Sequence, residues 1–134
     1  MIPVKQTVTT VPGGNCFSAC IASILEMDIE DVPYFMGDLE QIEDPEFDWF
    51  TGFLSWLFGK GYWAIPLPLN NAWRPDGLYI LSGKSPRGDY DHSVVASGTE
   101  LTIVHDPHPD NTGILTHDDV VVIVPLDPIQ ELEP

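Results

Sequence analysis

Asp91-His92-Ser93-Val94-Val95-Ala96-Ser97-Gly98-Thr99-Glu100-Leu101-Thr102-Ile103-Val104-His105-Asp106-Pro107 reads as two strands folded back on each other at Gly98-Thr99. Apolar and β-branched residues fill both runs, and a glycine turn between them is a hairpin signal. The register of this hairpin decides which polar end residues meet. An odd loop, such as Gly98-Thr99-Glu100, pairs Ser97 with Leu101 and sets His92 opposite Asp106 on one face. A two-residue loop sets His92 opposite His105 instead. Periodicity is silent between them. The odd loop is the expectation, with a bulge as the other way to bring His92 and Asp106 onto one face.

Outward from the hairpin, strand-like runs recur at Tyr62–Leu67, Leu78–Ser82 and Val120–Pro125. Upstream the period is helical. Cys16 to Met27 carries an apolar stripe of Phe17, Cys20, Ile21, Ile24 and Leu25, with Asn15 in place to cap it. Asp28 to Pro33 reads as a short helical turn. Asp44-Pro45-Glu46 opens a second helix that runs to Gly59 and is apolar nearly all round, so burial on more than one side is expected. Helices first and adjacent strands afterwards predict an α+β fold on a mostly antiparallel sheet. A chain of 134 residues suits a single domain spanning 1–134. Residues 126–134 are expected to form a flexible acidic tail.

The composition, 43% hydrophobic and 10% aromatic, is that of a folded protein. No apolar run approaches the ~20 residues of a membrane span, and no signal-peptide pattern opens the chain. A cytoplasmic protein without membrane contact is the expectation. Cys16 and Cys20 lie four apart on one helix, an awkward spacing for a disulfide, and free thiols suit a reducing compartment. There are 21 acidic and 5 basic residues, for a net charge of -16. Between Lys5 and Lys60 there is no Lys or Arg, while ten acidic residues fall from Glu26 to Asp48. Such a surface repels phosphate backbones and excludes direct nucleic-acid binding. It is a solvated face or a docking surface for a basic protein partner.

A thiol attacks only as the thiolate, and the free amides at a helix N-terminus favour negative charge. Gly13-Gly14-Asn15-Cys16 places a thiol there, with glycines that leave room for a substrate backbone. Cys20, inside the apolar stripe, reads as core. Of the four histidines, His92 begins a strand after a polar loop, which is where a base can be held firmly yet reachable. Asp106 is the carboxylate that could orient it, with Asp91 or Asp89 as replacements if the register excludes Asp106. His105, Asp106, His108 and His117 match no zinc spacing, so neither a metal nor a cofactor is expected.

The cysteine opening a helix in Gly14-Asn15-Cys16-Phe17-Ser18-Ala19-Cys20, the Asp91-His92-Ser93-Val94-Val95 run and the strand ending in His105-Asp106-Pro107 together resemble the C39-like branch of the papain-like cysteine peptidases. The resemblance covers about Gln6 to Gly113. Phe17 stands where that family usually has glycine. It implies a papain-like fold, with the catalytic cysteine at the start of the first helix. It also implies a Cys16–His92–Asp106 triad and an upstream glutamine, Gln6, that helps bind the oxyanion with the Cys16 amide. The activity implied is hydrolysis of a peptide or amide bond in a peptide or protein substrate. The other reading is a catalytically idle acidic binding protein, an inhibitor or decoy on the same fold.

Overall fold

A computed structural model describes residues 1–9, 14–35, 49–69 and 76–127. The elements are α1 (Cys16–Leu25), a 3-10 turn (Ile29–Asp31), α2 (Trp49–Gly59), β1 (Tyr62–Pro68), β2 (Leu78–Lys84), β3 (Asp91–Ser97), β4 (Thr102–His105) and β5 (Asp119–Pro125). The strands form one sheet in the order β1-β5-β2-β3-β4. Every neighbouring pair is antiparallel. The architecture is therefore α+β, two helices packed on a five-stranded antiparallel sheet. The start of the second helix at Asp44 and most of the expected acidic tail (128–134) lie outside the described residues.

Helix α1 is shorter than its pattern. It stops at Leu25 because Glu26 takes the left-handed conformation, φ 58°, with its N–H on the Ala22 carbonyl. Residues Cys16 to Ser23 are all buried, including the small rear face of Ser18, Ala19, Ala22 and Ser23. Small side chains let the N-terminal arm approach closely. Ile2 N–H donates to the Ser23 carbonyl, and Val4 N–H donates to Ser23 Oγ. The front face meets Phe53, Leu57, Ile80 and Val95 in the main core. Phe17 stands edge-on to both Trp49 and Phe53, at 5.1 and 5.0 Å.

Helix α2 departs from expectation the other way. Only Phe53 and Leu57 are buried along it, and Phe58 is 60% exposed against Trp63. Its aromatic girdle is lodged on one side only, with Lys60 lying over the Trp56 ring.

The β3–β4 hairpin also differs from the odd loop. Ser97 pairs with Thr102, so four residues, Gly98 to Leu101, make the turn. Gly98 and Leu101 both have positive φ, 80° and 56°, and Leu101 belongs to the turn rather than to β4. Ala96 then pairs with Ile103, but Val95 pairs with His105. Val104 is the extra residue of a β-bulge. The bulge shifts the register by one, so His92 and Asp106 come onto the same parity by that route and not through the loop.

Candidate functional site

The bulge and the following Pro107 carry Asp106 off the end of β4 and back toward the second residue of β3. His92 Nε2 lies 2.7 Å from Asp106 Oδ1, with both side chains buried. A carboxylate can only accept, so Nε2 carries the hydrogen. The Cys16 side chain also acts on the His92 ring and favours its charged form. With Nε2 committed to Asp106, Nδ1 is the nitrogen left for the sulfur. The structure thus brings Cys16, His92 and Asp106 together from helix, strand and post-strand loop.

Asp106 is further fixed by backbone donors. Oδ1 accepts from His108 N–H at 2.9 Å, and Oδ2 accepts from Gly113 N–H at 2.7 Å. Burial alone would raise this carboxyl. The bond from His92 and the two amides outweigh it and hold the pKa at about 2. Burial would likewise lower His92, but its bonds to Asp106 and Cys16 carry it up to about 9. A proton is therefore held on the imidazole next to the thiol at neutral pH. Cys20 is different: burial first, then the charges of Cys16 and Asp106, push its thiol well above the ordinary range.

Asn15 does not cap α1. It makes no side-chain cap bond. Its Oδ1 accepts from Thr7 and Val8 N–H, both at 2.9 Å, and its Nδ2 donates to Thr7 Oγ1. The residue at the cap position ties down the arm, and no side chain from it covers the first amides of the helix, the end that favours negative charge. Gly14 is also used differently from expectation. At φ +50°, a Cβ there would fall 1.9 Å from the Val8 carbonyl oxygen. The space is filled by the arm, not left for a substrate. Gly13 lies outside the described residues.

Gln6 is brought beside Gly14, two residues before Cys16. Its backbone N–H donates to the Pro107 carbonyl, and its Nε2 donates to the Val8 carbonyl at 2.9 Å. Its Oε1 is buried with no hydrogen-bond partner among the described residues. Lys5, which sequence reasoning passed over, grips the other side of the loop. Its Nζ donates to the Asp106 and His108 carbonyls and to Asn111 Oδ1, at 2.8, 3.2 and 2.6 Å. The one available signal was that Lys5 is the sole cation before Lys60.

His105 turns away from the site and donates Nε2–H to the Val4 carbonyl. His117 is exposed. Among the described residues no group of three His, Cys, Asp or Glu side chains is placed to hold a metal ion. Among them, too, no helix is long and apolar enough to cross a membrane.

A cleft of about 740 Å³ opens at Cys16. Phe17, Trp49 and Phe50 form its helical wall, and Pro66 to Pro68 of β1 form the opposite end. Ser82 and Ser93 lie between them, their hydroxyls 2.8 Å apart. No protein-family model matches the chain, and no curated protein or solved structure matches it.

Proposed function

We propose that this chain is a papain-like thiol hydrolase of the C39-like kind, acting on a peptide or amide bond through Cys16, His92 and Asp106. The observation that carries the reading is His92 held by Asp106 at 2.7 Å, with its charged form favoured by the thiol that opens α1. In this reading Cys16 Sγ attacks the carbonyl carbon, and the displaced electron pair moves to oxygen. The Cys16 amide and the second N–H of Gln6 Nε2 are the donors assigned to that oxyanion. His92 Nδ1 gives its proton to the leaving nitrogen as the C–N bond breaks, leaving a thioester on Cys16. Water then gives a proton back to His92, attacks the thioester and releases the acid and the thiolate. An amine in place of that water would make the same intermediate a transferase step. Asp106 keeps the imidazole in the tautomer that points Nδ1 at sulfur.

The test is alkylation by iodoacetamide at pH 6, with the site of mass gain mapped by peptide analysis. The expected result is rapid, selective modification of Cys16, lost in His92→Ala. Equal, slow reaction of both thiols would sink the catalytic reading and favour a binding protein.

A further inference from the structure

The loop that carries Asp106 faces two ways. Its N–H groups at His108 and Gly113 turn inward onto the Asp106 carboxylate. Its carbonyls at Asp106, Pro107 and His108 turn outward onto the N-terminal arm. One peptide group joins the two sides. The Pro107 carbonyl accepts from Gln6 N–H at 2.9 Å, and the N–H of that same peptide, on His108, donates to Asp106 Oδ1 at 2.9 Å. Each of these bonds polarises the peptide in favour of the other. The donor that holds the carboxylate is itself held by the arm.

Lys5 grips both sides of that peptide. Its Nζ donates to the carbonyls of Asp106 and His108, the residues that flank Pro107, and to Asn111 Oδ1. An ammonium offers three N–H donors in three directions, and each has an acceptor here. Asn111, at φ 55°, closes the turn by donating its own N–H to the His108 carbonyl. Lys5 is an exposed residue, so it fills no core space. What it fixes is the shape of the loop behind the carboxylate that orients His92.

We infer that Lys5 is a positioning residue: it locks the 106–111 loop onto the arm, which keeps Asp106 on His92 and Gln6 beside Gly14. This rests on the thiol-hydrolase reading and adds a residue that acts through Asp106. The arm thereby couples the two halves of the site. Lys5 holds the carboxylate of the base, and its neighbour Gln6 carries the amide assigned to the oxyanion. Lys5 also brings a charge, and its two effects on His92 have opposite signs. A nearby cation by itself disfavours the imidazolium, whereas a carboxylate held in place favours it. The titratable groups around the imidazole are Asp106, Cys16 and the edge-on His108 ring at 6.2 Å. Lys5 bonds the two that lie on the loop through their backbone carbonyls.

The experiment titrates the ring nitrogens of His92 by heteronuclear NMR in wild-type protein and in Lys5→Met, which keeps the stem and removes the donors. The same spectra report that the variant is folded. Loss of the cation alone would raise the His92 midpoint. Loss of positioning should lower it by about one pH unit, the order of effect of one charge partner. Iodoacetamide labelling of Cys16 at pH 6 is measured beside it, with and without Asp106→Asn. Lys5→Met should slow labelling about threefold to tenfold where Asp106 is present and by less than about twofold in Asp106→Asn, which has no carboxylate left to position. A His92 midpoint that rises or stays in place, with Cys16 still labelled selectively, would overturn the positioning role and leave the hydrolase reading standing. Equal slowing in both backgrounds would make the clamp merely structural and overturn the inference as well. Failure of iodoacetamide to select Cys16 in wild-type protein would overturn the hydrolase reading and the positioning role with it.

Discussion

Successive turns of α1 each carry a thiol, and the two have opposite surroundings. Cys16 is 2% exposed and Cys20 is 0% exposed, so burial does not distinguish them. Neighbours do. The first turn ends beside an imidazole that holds a proton, whereas the second is packed among Phe17, Ile21 and Val95 of the core. Burial first, then the charges of Cys16 and Asp106, oppose a charge on Cys20, and its pKa rises accordingly. In the proposed reading the reactive cysteine is specified by the group that faces it, and helix position only makes that meeting possible.

The strongest way to break this comparison is to exchange the outcomes of the two deletions. Cys16→Ala should lower amide-bond turnover by roughly four orders of magnitude or more, the scale seen when a nucleophile is removed, with the fold kept and a stability cost no larger than the order of 1 kcal/mol of a small buried side chain. Turnover that survives Cys16→Ala and dies in Cys20→Ala would reverse the assignment.

Asp106→Asn sharpens the same contrast, because it removes the charge on His92 without removing the ring. Turnover should drop by about 10²–10⁴-fold, as expected when the tautomer is no longer enforced. The pH dependence of stability should change with it. Folded His92 titrates at about 9 against an ordinary 6.5, so it binds more protons folded than unfolded in that interval. Its stabilisation is full below 6.5 and is lost as pH rises through 9. Asp106 titrates at about 2 against 3.8, so its contribution is present above 3.8 and is lost as pH falls through 2. Urea midpoints of the wild-type protein should therefore be highest between these windows, and Asp106→Asn should flatten both limbs. A mutant that keeps the alkaline fall between pH 6.5 and 9 would show that His92 does not owe its proton to Asp106.

The smallest effect belongs to the second turn. Cys20→Ala should leave turnover within about twofold and cost on the order of 1 kcal/mol in chemical unfolding. A loss above about 3 kcal/mol would mean that the second turn carries more than packing.

Strand positions and α1 were legible because their periodicities are set by burial on known faces, and all five strands fall within two residues of the runs read from sequence. The bulge at Val104 was not. A single extra residue in Thr102-Ile103-Val104-His105 changes no hydropathy, since Ile103 and Val104 are both partly exposed on an edge strand. Asn15 carried a true signal with the wrong partner: an amide at a cap position satisfies backbone donors of whichever segment lies closer, here the arm. Helix α2 shows the converse error. Apolar residues all round state what would gain from burial, not what neighbour exists to bury them, and among the described residues the ring that meets Phe58 is Trp63. Of the site, Cys16, His92 and Asp106 were found as residue types at element ends, whereas the Lys5 clamp depends on a side chain crossing 101 residues of sequence.

That same separation sets the order in which the molecule can be built. Val4 and Lys5 reach His105 and Asp106 across 101 residues, and Gln6 reaches Pro107. Closing so long a loop costs chain entropy before any local contact rewards it. During vectorial synthesis the thiol therefore emerges long before the loop that orients its histidine. Until His105 and Asp106 follow, the arm has only Ser23 and Asn15 of the helical segment to hold it, and the nascent chain carries Cys16 without His92 and Asp106 beside it. In the proposed hydrolase reading, reactivity is a property of the finished fold, which spares the ribosome-bound chain from its own chemistry.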